Sequence, residues 1–349
     1  MRRALKPAAR ASALCRAQSG RDRVTAGAHD PDRPIRLGVS SCLLGNAVRY
    51  DGGHRRDAFV TDLLGSFVEW VPVCPEVEVG MGTPRPAVRL VGEGGEIRML
   101  EVASGRDHTR AMQRYAARRV RALRDLGLCG YVLKQNSPSC GMARVKIYGE
   151  KSASSKSSKN GRGLFASRLM DAYPNLPVED EGRLNDAKLR ENFIERVFAY
   201  HRLCGLFRGR WTNGQLVAFH TAHRLQLIAH APEPTRELGR FVASLAKRPR
   251  DEIRERYQRV FMAALSRVAS RARNTNALQH AAGQLKKGLD TSSRGELADL
   301  IHDYRLGLVP LVVPVTLLRH HARRLEVDAL NGQTFLEPHP KELMLRNHV

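Results

Sequence analysis

The sequence lacks an apolar run long enough to cross a bilayer: the longest, from Leu306 to Leu318, is too short and contains two prolines. Residues 1–34 are rich in Arg and Ala but have no uninterrupted apolar core, which excludes a secretory signal peptide. We interpret them as a disordered basic tail, with a transit peptide as the alternative. No repeat with a period of roughly 20 to 50 residues is present, which excludes a solenoid or a propeller. The sequence therefore predicts a soluble protein without membrane association.

Cysteine is scarce, with six residues in 349 and no C-x-x-C pair. This pattern excludes a disulfide framework and favours reduced thiols in the cytoplasm. The P-C-x-x-C signature of zinc deaminases is also absent.

Acidic residues are few, since 35 Asp and Glu stand against 58 Lys and Arg, and the formal net charge is +23. A basic surface of this kind is typical of proteins that bind nucleic acid. A genome rich in G and C would account for the many arginines, but not for the shortage of acids.

The pattern of apolar residues predicts two domains of different class. From Ile35 to about Asp180, short apolar runs such as IRLGVSS, FVEWVPV and GYVLK alternate with helical segments. Such alternation is typical of an α/β domain with a mainly parallel sheet and crossover helices. From Leu189 onward every periodic segment is helical. We therefore predict an α/β domain over 35–182 and an all-α domain over 188–349, and we interpret the Ser- and Lys-rich stretch 150–163 as a flexible surface loop.

Three cysteines come directly after predicted strands: Cys42, Cys74 and Cys140. The carboxyl ends of parallel strands share one edge of a sheet, where open α/β folds place their ligands, so these thiols are expected to converge. Cys129 precedes its strand and belongs at the opposite edge, and Cys204 lies on a helix of the second domain.

Three widely spaced thiols without an obvious fourth ligand fit an iron-sulfur cube with one open iron better than a closed zinc site. An open iron can bind an atom of a substrate. Two other interpretations remain open on residue pattern alone. The cysteines can be small buried residues at strand ends, or they can hold a zinc-bound water.

The segments that carry these thiols resemble a known family. SSCLLGNAVRYDGGHRRD, PVCPEVEVGMGTPRP and LKQNSPSCG resemble the motif blocks of the bacterial thiouracil desulfurases. FHTAHRLQLIAH, LQHAAGQLKKGL, YRLGLVPLVVPVTLLRHH and EPHPKELMLRN resemble the helical domain often fused to them. The pairing is similar to that of the bacterial tRNA 4-thiouridine desulfidases, and the resemblance covers about residues 35–349.

This resemblance implies an oxygen-sensitive [4Fe-4S] cluster held by Cys42, Cys74 and Cys140. It also implies that the thiocarbonyl sulfur of a base binds the open iron, that a carboxylate assists attack by water, and that sulfur leaves as hydrosulfide. We expect Glu76, two residues after Cys74, to be the acid/base, with an ion pair to Arg85 or Arg89 as the alternative role.

Several residues near the cysteines are further candidates. Ser137 and Ser139 can position the base or the water, or can cap a turn, and the sequence does not separate the two roles. Four residues that follow Cys42 are expected to line the substrate pocket: Asn46, Arg49, Tyr50 and Asp51.

A run of arginines predicts an RNA-binding face, which we call the arginine face. Arg106, Arg110, Arg114, Arg118 and Arg121 recur at helical spacing, with few acids between them. Like charges at this spacing destabilise a helix slightly, which favours an anionic partner over a merely solvated face. The helical domain adds Arg224 and other cations for gripping tRNA.

The sequence thus predicts a cytoplasmic [4Fe-4S]-dependent desulfidase that converts 4-thiouridine in tRNA to uridine and hydrosulfide. One alternative acts on free thiouracil or thiouridine nucleotides. The other is a non-enzymatic nucleic-acid-binding protein with structural zinc.

Overall fold

A computed structural model describes residues 34–93, 96–149 and 157–348. The predicted basic tail therefore lies outside the described residues, apart from Pro34. The predicted loop 150–163 is described only from residue 157, and there the prediction is wrong, because Ser158–Gly161 forms a strand. None of the described helices combines the length and the apolar character that a membrane crossing requires.

The regular elements follow one another as strands with crossover helices and then as helices alone. The strands are β1 (Arg36–Ser40), β2 (Glu69–Val73), β3 (Val88–Glu93), β4 (Glu96–Glu101), β5 (Gly130–Leu133), β6 (Val145–Tyr148), β7 (Ser158–Gly161) and β8 (Val178–Asp180). The helices are α1 (Pro75–Glu78), α2 (Thr109–Arg124), α3 (Leu164–Ala172), α4 (Ala187–Leu206), α5 (Asn213–Ala222), α6 (Arg224–His230), α7 (Pro232–Ala243), α8 (Arg250–Leu265), α9 (Arg271–Leu285), α10 (Thr291–Leu306), α11 (Val312–Arg324) and α12 (Asp328–Asn331).

The first sheet has the order β2-β1-β5-β8 and is parallel throughout. The predicted class, an α/β region with a mainly parallel sheet followed by a helical region, is confirmed. β1 and β5 are central and buried, as expected for strands covered on both faces. The ring of Tyr131 in β5 lies directly over Gly38 in β1, since a Cβ on Gly38 would be only 2.1 Å from that ring.

A second sheet, with the order β4-β3-β6-β7, was not predicted from the sequence. It consists of the antiparallel hairpin β3–β4, a parallel pair β3–β6 and the antiparallel pair β6–β7. Its inward residues Leu90 and Met99 share a core with Met112 of α2 and with Phe165 of α3. The second sheet thus supports α2, the helix that carries the arginine face.

Helix α4 packs against both parts of the chain. Phe193, Ile194 and Val197 belong to the core that contains β1, while Leu203 belongs to a core of the helical region. The contact with the sheet is tight, since a Cβ on Gly130 of β5 would lie 2.9 Å from Val197 Cγ2. The junction predicted at 182–188 therefore precedes a helix that the two parts share.

The contact between β1 and β5 predicts opposite effects for two Gly→Ala changes. Gly38→Ala is expected to lower the free energy of unfolding by about 1–3 kcal/mol, because the new methyl group overlaps Tyr131. Gly295→Ala, at an open position inside α10, is expected to raise it by about 0.5–1 kcal/mol through helix propensity. Urea unfolding measures both, and equal effects at the two positions would contradict the close approach.

Candidate functional site

A cavity of about 720 Å³ opens at the carboxyl edge of the first sheet. Its walls come from the turns that follow β1, β2, β5 and β8. We call it the cysteine cavity, because its described lining residues include the three cysteines predicted to converge: Cys42, Cys74 and Cys140. Cys129 and Cys204 line a different cavity.

Each thiol is presented by a different turn. Cys42 lies in the 3-10 turn Ser41–Leu44 directly after β1 and is buried. Cys74 is the N-cap of α1 directly after β2, and its half-buried side chain contacts Val48 O at 3.7 Å. Cys140 is buried in the turn after β5. Parallel pairing of three neighbouring strands therefore delivers the thiols to one space.

The turn around Cys140 is fixed by hydrogen bonds from two directions. Ser137 Oγ accepts from the backbone N–H groups of Ser139 and Cys140, at 3.3 and 3.1 Å. The first backbone N–H groups of α3 donate to the carbonyl oxygens of Pro138 and Ser139, at 3.1 and 3.0 Å. A Cβ on Gly163 would lie 2.4 Å from Ser139 O, so the helix start and the turn are in direct contact.

Burial sets the protonation of the thiols. It raises the pKa of Cys42 to about 11, and it also raises the pKa values of Cys74 and Cys140. The thiol of Cys74 contributes to the upward shift at both other cysteines, so the three groups interact electrostatically. Lys134 acts in the opposite sense on Cys42. At neutral pH the thiols are protonated, and thiolate binding to a metal must release these protons.

The donor set of the cysteine cavity matches the chemistry of an iron-sulfur cluster. Cysteine thiolates are the usual ligands of such clusters, and three cysteines line this one cavity. Among the described residues, no group of three or more His, Cys, Asp or Glu is arranged so that it could hold a metal ion.

Glu76 lies in the wall of the cysteine cavity and has two partners. Its Oε2 accepts from Arg85 Nη2 and Nε, at 2.5 and 3.0 Å. Its Oε1 accepts from Ser139 Oγ at 2.6 Å. The ion pair with Arg85, considered as an alternative from the sequence, is therefore present, and the other carboxylate oxygen still contacts a hydroxyl beside the thiols.

The structure separates the two serines that the sequence left equivalent. The hydroxyl of Ser137 caps the backbone of the Cys140 turn. Ser139 donates its one proton to Glu76, so it accepts the contact of 3.0 Å from Ser137. Ser139 Oγ also lies 3.7 Å from Cys140 Sγ. Ser139 thus connects the carboxylate to the edge of the thiol site.

The four residues predicted to line the substrate pocket divide into two pairs. Arg49 and Tyr50 line the cysteine cavity, and the Arg49 guanidinium lies 5.4 Å from the centre of the Tyr50 ring. Asn46 and Asp51 are not among its described lining residues. The Asn46 amide instead donates to Ser41 Oγ at 2.7 Å. Asp51 accepts from Gly53 N at 3.0 Å and from Arg49 at 3.4 Å.

Residues that the sequence reasoning missed also line the cysteine cavity. Lys134 directly follows β5, and its ammonium forms an ion pair with Glu181, which directly follows β8. The backbone N–H of Lys134 donates to Ser40 Oγ at 2.9 Å. Both charged residues stand at strand ends, so the rule that selected the cysteines would have found them if applied to charged residues.

Comparisons with known proteins agree with this architecture. Residues 37–181 match the family model for 2-thiouracil desulfurase, and residues 224–340 match a family described as a protein of unknown function (DUF1722). The uncharacterized protein YbgA of Escherichia coli (strain K12) is 30% identical over 165 residues, which cover 47% of this chain and 98% of YbgA. The chain belongs to the 2-thiouracil desulfurase family, joined to a DUF1722 domain.

Two further proteins are similar to part of the chain. The uncharacterized protein YbbK of Bacillus subtilis (strain 168) is 33% identical over 153 residues, which cover 42% of this chain and 97% of YbbK. A solved structure of the [4Fe-4S]-dependent thiouracil desulfidase TudS is 31% identical in sequence, with a TM-score of 0.36. The match covers 44% of this chain and 94% of the TudS chain. The family resemblance inferred from the sequence motifs is confirmed.

In this desulfurase-family chain, the arginine face lies on the exposed side of α2. The side chains of Arg110, Arg114, Arg118 and Arg121 are exposed, whereas Arg106 lies before the helix begins. Within the described part of the chain, none of these four helical arginines forms an ion pair. Arg224 is exposed at the start of α6.

Three histidines of the helical region take part in buried hydrogen bonds. His220 Nδ1 lies 3.2 Å from the Tyr257 hydroxyl. His223 Nδ1 lies 2.8 Å from a carbonyl oxygen one helical turn earlier. His230 Nε2 lies 2.8 Å from the Glu195 carboxylate. These contacts give the three rings packing roles.

The buried pair of Glu76 and Arg85 predicts strong energetic coupling. Arg85→Met leaves the carboxylate without its cation and is expected to lower the free energy of unfolding by about 3–5 kcal/mol. Adding Glu76→Gln is expected to recover part of that loss, and urea unfolding of the two single variants and the double variant measures the coupling.

The matched control is Arg36→Met, whose ion pair with Glu69 is exposed. Its expected cost is within about 1 kcal/mol. Additive effects of the Glu76 and Arg85 substitutions would show that the two side chains do not interact.

Proposed function

We propose that this protein is a [4Fe-4S]-dependent desulfidase that converts 4-thiouridine in tRNA to uridine and hydrosulfide. Membership of the 2-thiouracil desulfurase family supports removal of sulfur from a thiouracil-type base. The observation that carries the proposal is the meeting of three thiols with the Glu76–Ser139 pair in one cavity. The reaction belongs in the cytoplasm, where reducing conditions keep thiols free.

Cys42, Cys74 and Cys140 are the proposed ligands of the cluster. When bound, the cluster supplies an iron without a protein ligand, which is a soft acceptor for a thiocarbonyl sulfur. The lining supports this choice, because each cysteine follows a different strand and the other lining residues are not thiols. The raised pKa values of the thiols imply that loading releases protons.

The protein's own contribution to the reaction is the transfer of a proton from water. Arg85 holds one oxygen of Glu76, and the other oxygen accepts from Ser139. Ser139 can take a proton from a water molecule in the cavity while it passes its own proton to Glu76, which makes Glu76 the general base. Arg85 keeps the carboxylate in position and is a positioning residue.

The reaction needs no net electron transfer. The oxygen of water forms a bond to the carbon that carries sulfur, and the C–S bond then breaks. The sulfur leaves with the bonding pair as hydrosulfide, while the base keeps a carbonyl oxygen. One proton of the water passes to Glu76 through Ser139, and the other leaves on the sulfur as part of the hydrosulfide.

The mouth of the cysteine cavity can hold an extruded base. Tyr50 is 46% exposed and has its ring beside the Arg49 guanidinium, so a base can stack on the ring while the cation contacts a neighbouring phosphate. Removing a thionucleotide from its stack in tRNA costs a few kcal/mol. Contacts to phosphates on the exposed arginine face of α2 offset that cost.

The cysteine assignment predicts a clear division among single variants. Cys42→Ala, Cys74→Ala and Cys140→Ala are expected to lose iron and sulfide release together, because each removes one ligand. Cys129→Ala and Cys204→Ala, whose thiols line the other cavity, serve as matched controls and are expected to keep both. Anaerobic purification followed by iron, zinc and sulfide analysis measures the outcome. A colourless, zinc-loaded wild-type protein would favour the non-enzymatic alternative.

The choice of substrate is tested with Arg110→Glu/Arg114→Glu. The double variant is expected to lose most of its activity on thiolated tRNA while its activity on free 4-thiouracil stays unchanged, because the face lies outside the cysteine cavity. The slope of log affinity for tRNA against log salt is expected to fall by roughly 2. Wild-type activity on free thiouracil alone would assign the reaction to small molecules.

A further inference from the structure

A second cavity, of about 440 Å³, lies at the opposite edge of the first sheet, where the sheet meets the helical region. We call it the arginine cavity. Its walls come from the residues before β1 and β5, the end of α2, and helices α4 and α8. It is separate from the cysteine cavity, which lies beyond the other ends of the same strands.

The charges around the arginine cavity are of one sign. Its described lining residues include four arginines and no carboxylate: Arg36, Arg124, Arg208 and Arg254. Arg36 pairs with Glu69 at 3.0 Å. Within the described ranges the other three arginines form no ion pair. Arginine side chains that surround one space with no carboxylate among its described lining residues attract an anion into that space.

Both parts of the chain contribute these cations. Arg124 ends α2, whereas Arg208 follows α4 and Arg254 belongs to α8. Arg208 reaches back to the sheet side, since its Nη2 lies 4.0 Å from the position of a Cβ on Gly127. The cations therefore surround the cavity from two sides.

The lining of the arginine cavity also includes apolar side chains. They are Leu123, Leu126, Leu128 and Leu176, together with the rings of Tyr173 and Tyr200. Tyr173 donates its hydroxyl proton to Val120 O, so its ring is held in a fixed orientation. The Tyr200 hydroxyl accepts from Gln258 at 3.5 Å. The volume lies in the range of about 300–1,000 Å³ that is usual for ligand sites.

We propose that the arginine cavity binds the phosphate group of a nucleotide, with the nucleoside lying against the leucine and tyrosine side chains of the lining. Arg guanidinium groups bind phosphate oxygens in a bidentate manner, and aromatic rings stack on bases. The phosphate comes either from a free nucleotide or from the backbone of RNA. Only the second source rests on the proposed function. It would extend the arginine face of α2, whose last turn carries Arg121 and Arg124.

Binding to the full-length protein tests this site, with uridine 5′-monophosphate, uridine and a tRNA transcript as the probes. The variant is Arg208→Gln/Arg254→Gln. The matched control is Arg305→Gln/Arg323→Gln, which removes the same charge from exposed positions outside the described lining of the cavity. Calorimetry measures the nucleotide, and filter binding over a salt series measures the tRNA.

We expect the nucleotide to bind at least tenfold more weakly to the cavity variant than to the wild type or the control, and uridine to bind much more weakly than the nucleotide. Weakened tRNA binding with no measurable binding of the nucleotide would identify RNA as the source of the phosphate. Unchanged affinity for both probes in the cavity variant would overturn the proposal. Sulfide release from free 4-thiouracil is expected to stay unchanged in this variant, which separates failure of this site from failure of the desulfidase.

Discussion

The parallel pairing of β1 with β2 and β5 is the constraint on which the candidate site depends. Parallel strands end at one edge, so the turns after these three strands must face a common space. The three thiols are distant in sequence and reach that space only because the strand register holds. The same pairing sends Cys129 to the other edge. The parallel pairing therefore places the candidate metal site and the arginine cavity at opposite edges of the first sheet.

Within that frame, polar contacts give each side chain a specific place. Arg85 donates to one carboxylate oxygen of Glu76, and Ser139 donates to the other. The start of α3 fixes the turn of Cys140 through backbone N–H groups that a helix leaves without internal partners. Buried hydrogen bonds of this kind make a site more rigid, because each partner would be costly to leave unpaired. The cysteine cavity is consequently built from residues with few alternative positions.

The sequence predicts the parts of this protein that follow from local pattern and strand direction. β1, β2 and β5 are predicted close to their observed bounds, because apolar runs mark them clearly. The hairpin β3–β4 was missed, because the burial of Leu90 and Met99 depends on a core formed with distant parts of the chain, including α2 and α3. Strand β7 was missed because Ser, Lys, Asn and Gly carry little strand preference, and pairing with β6 fixes it.

Side-chain partners were the least predictable feature. Asn46 and Asp51 stand near Cys42 in sequence, yet their hydrogen bonds turn them towards Ser41 and Gly53. The difference between Ser137 and Ser139 depends on which hydroxyl faces Glu76, and spacing does not encode that direction.

The packing of α4 against both parts of the chain fixes the distance between the helical region and the cysteine cavity. A helix of 20 residues is about 30 Å long, and the middle of this one packs in the core that contains β1 while its C-terminal part packs in a core of the helical region. The distance between the helical region and the cysteine cavity is therefore fixed by the packing of α4. A large, folded ligand that contacts both places would have to match that distance, and would be selected by it.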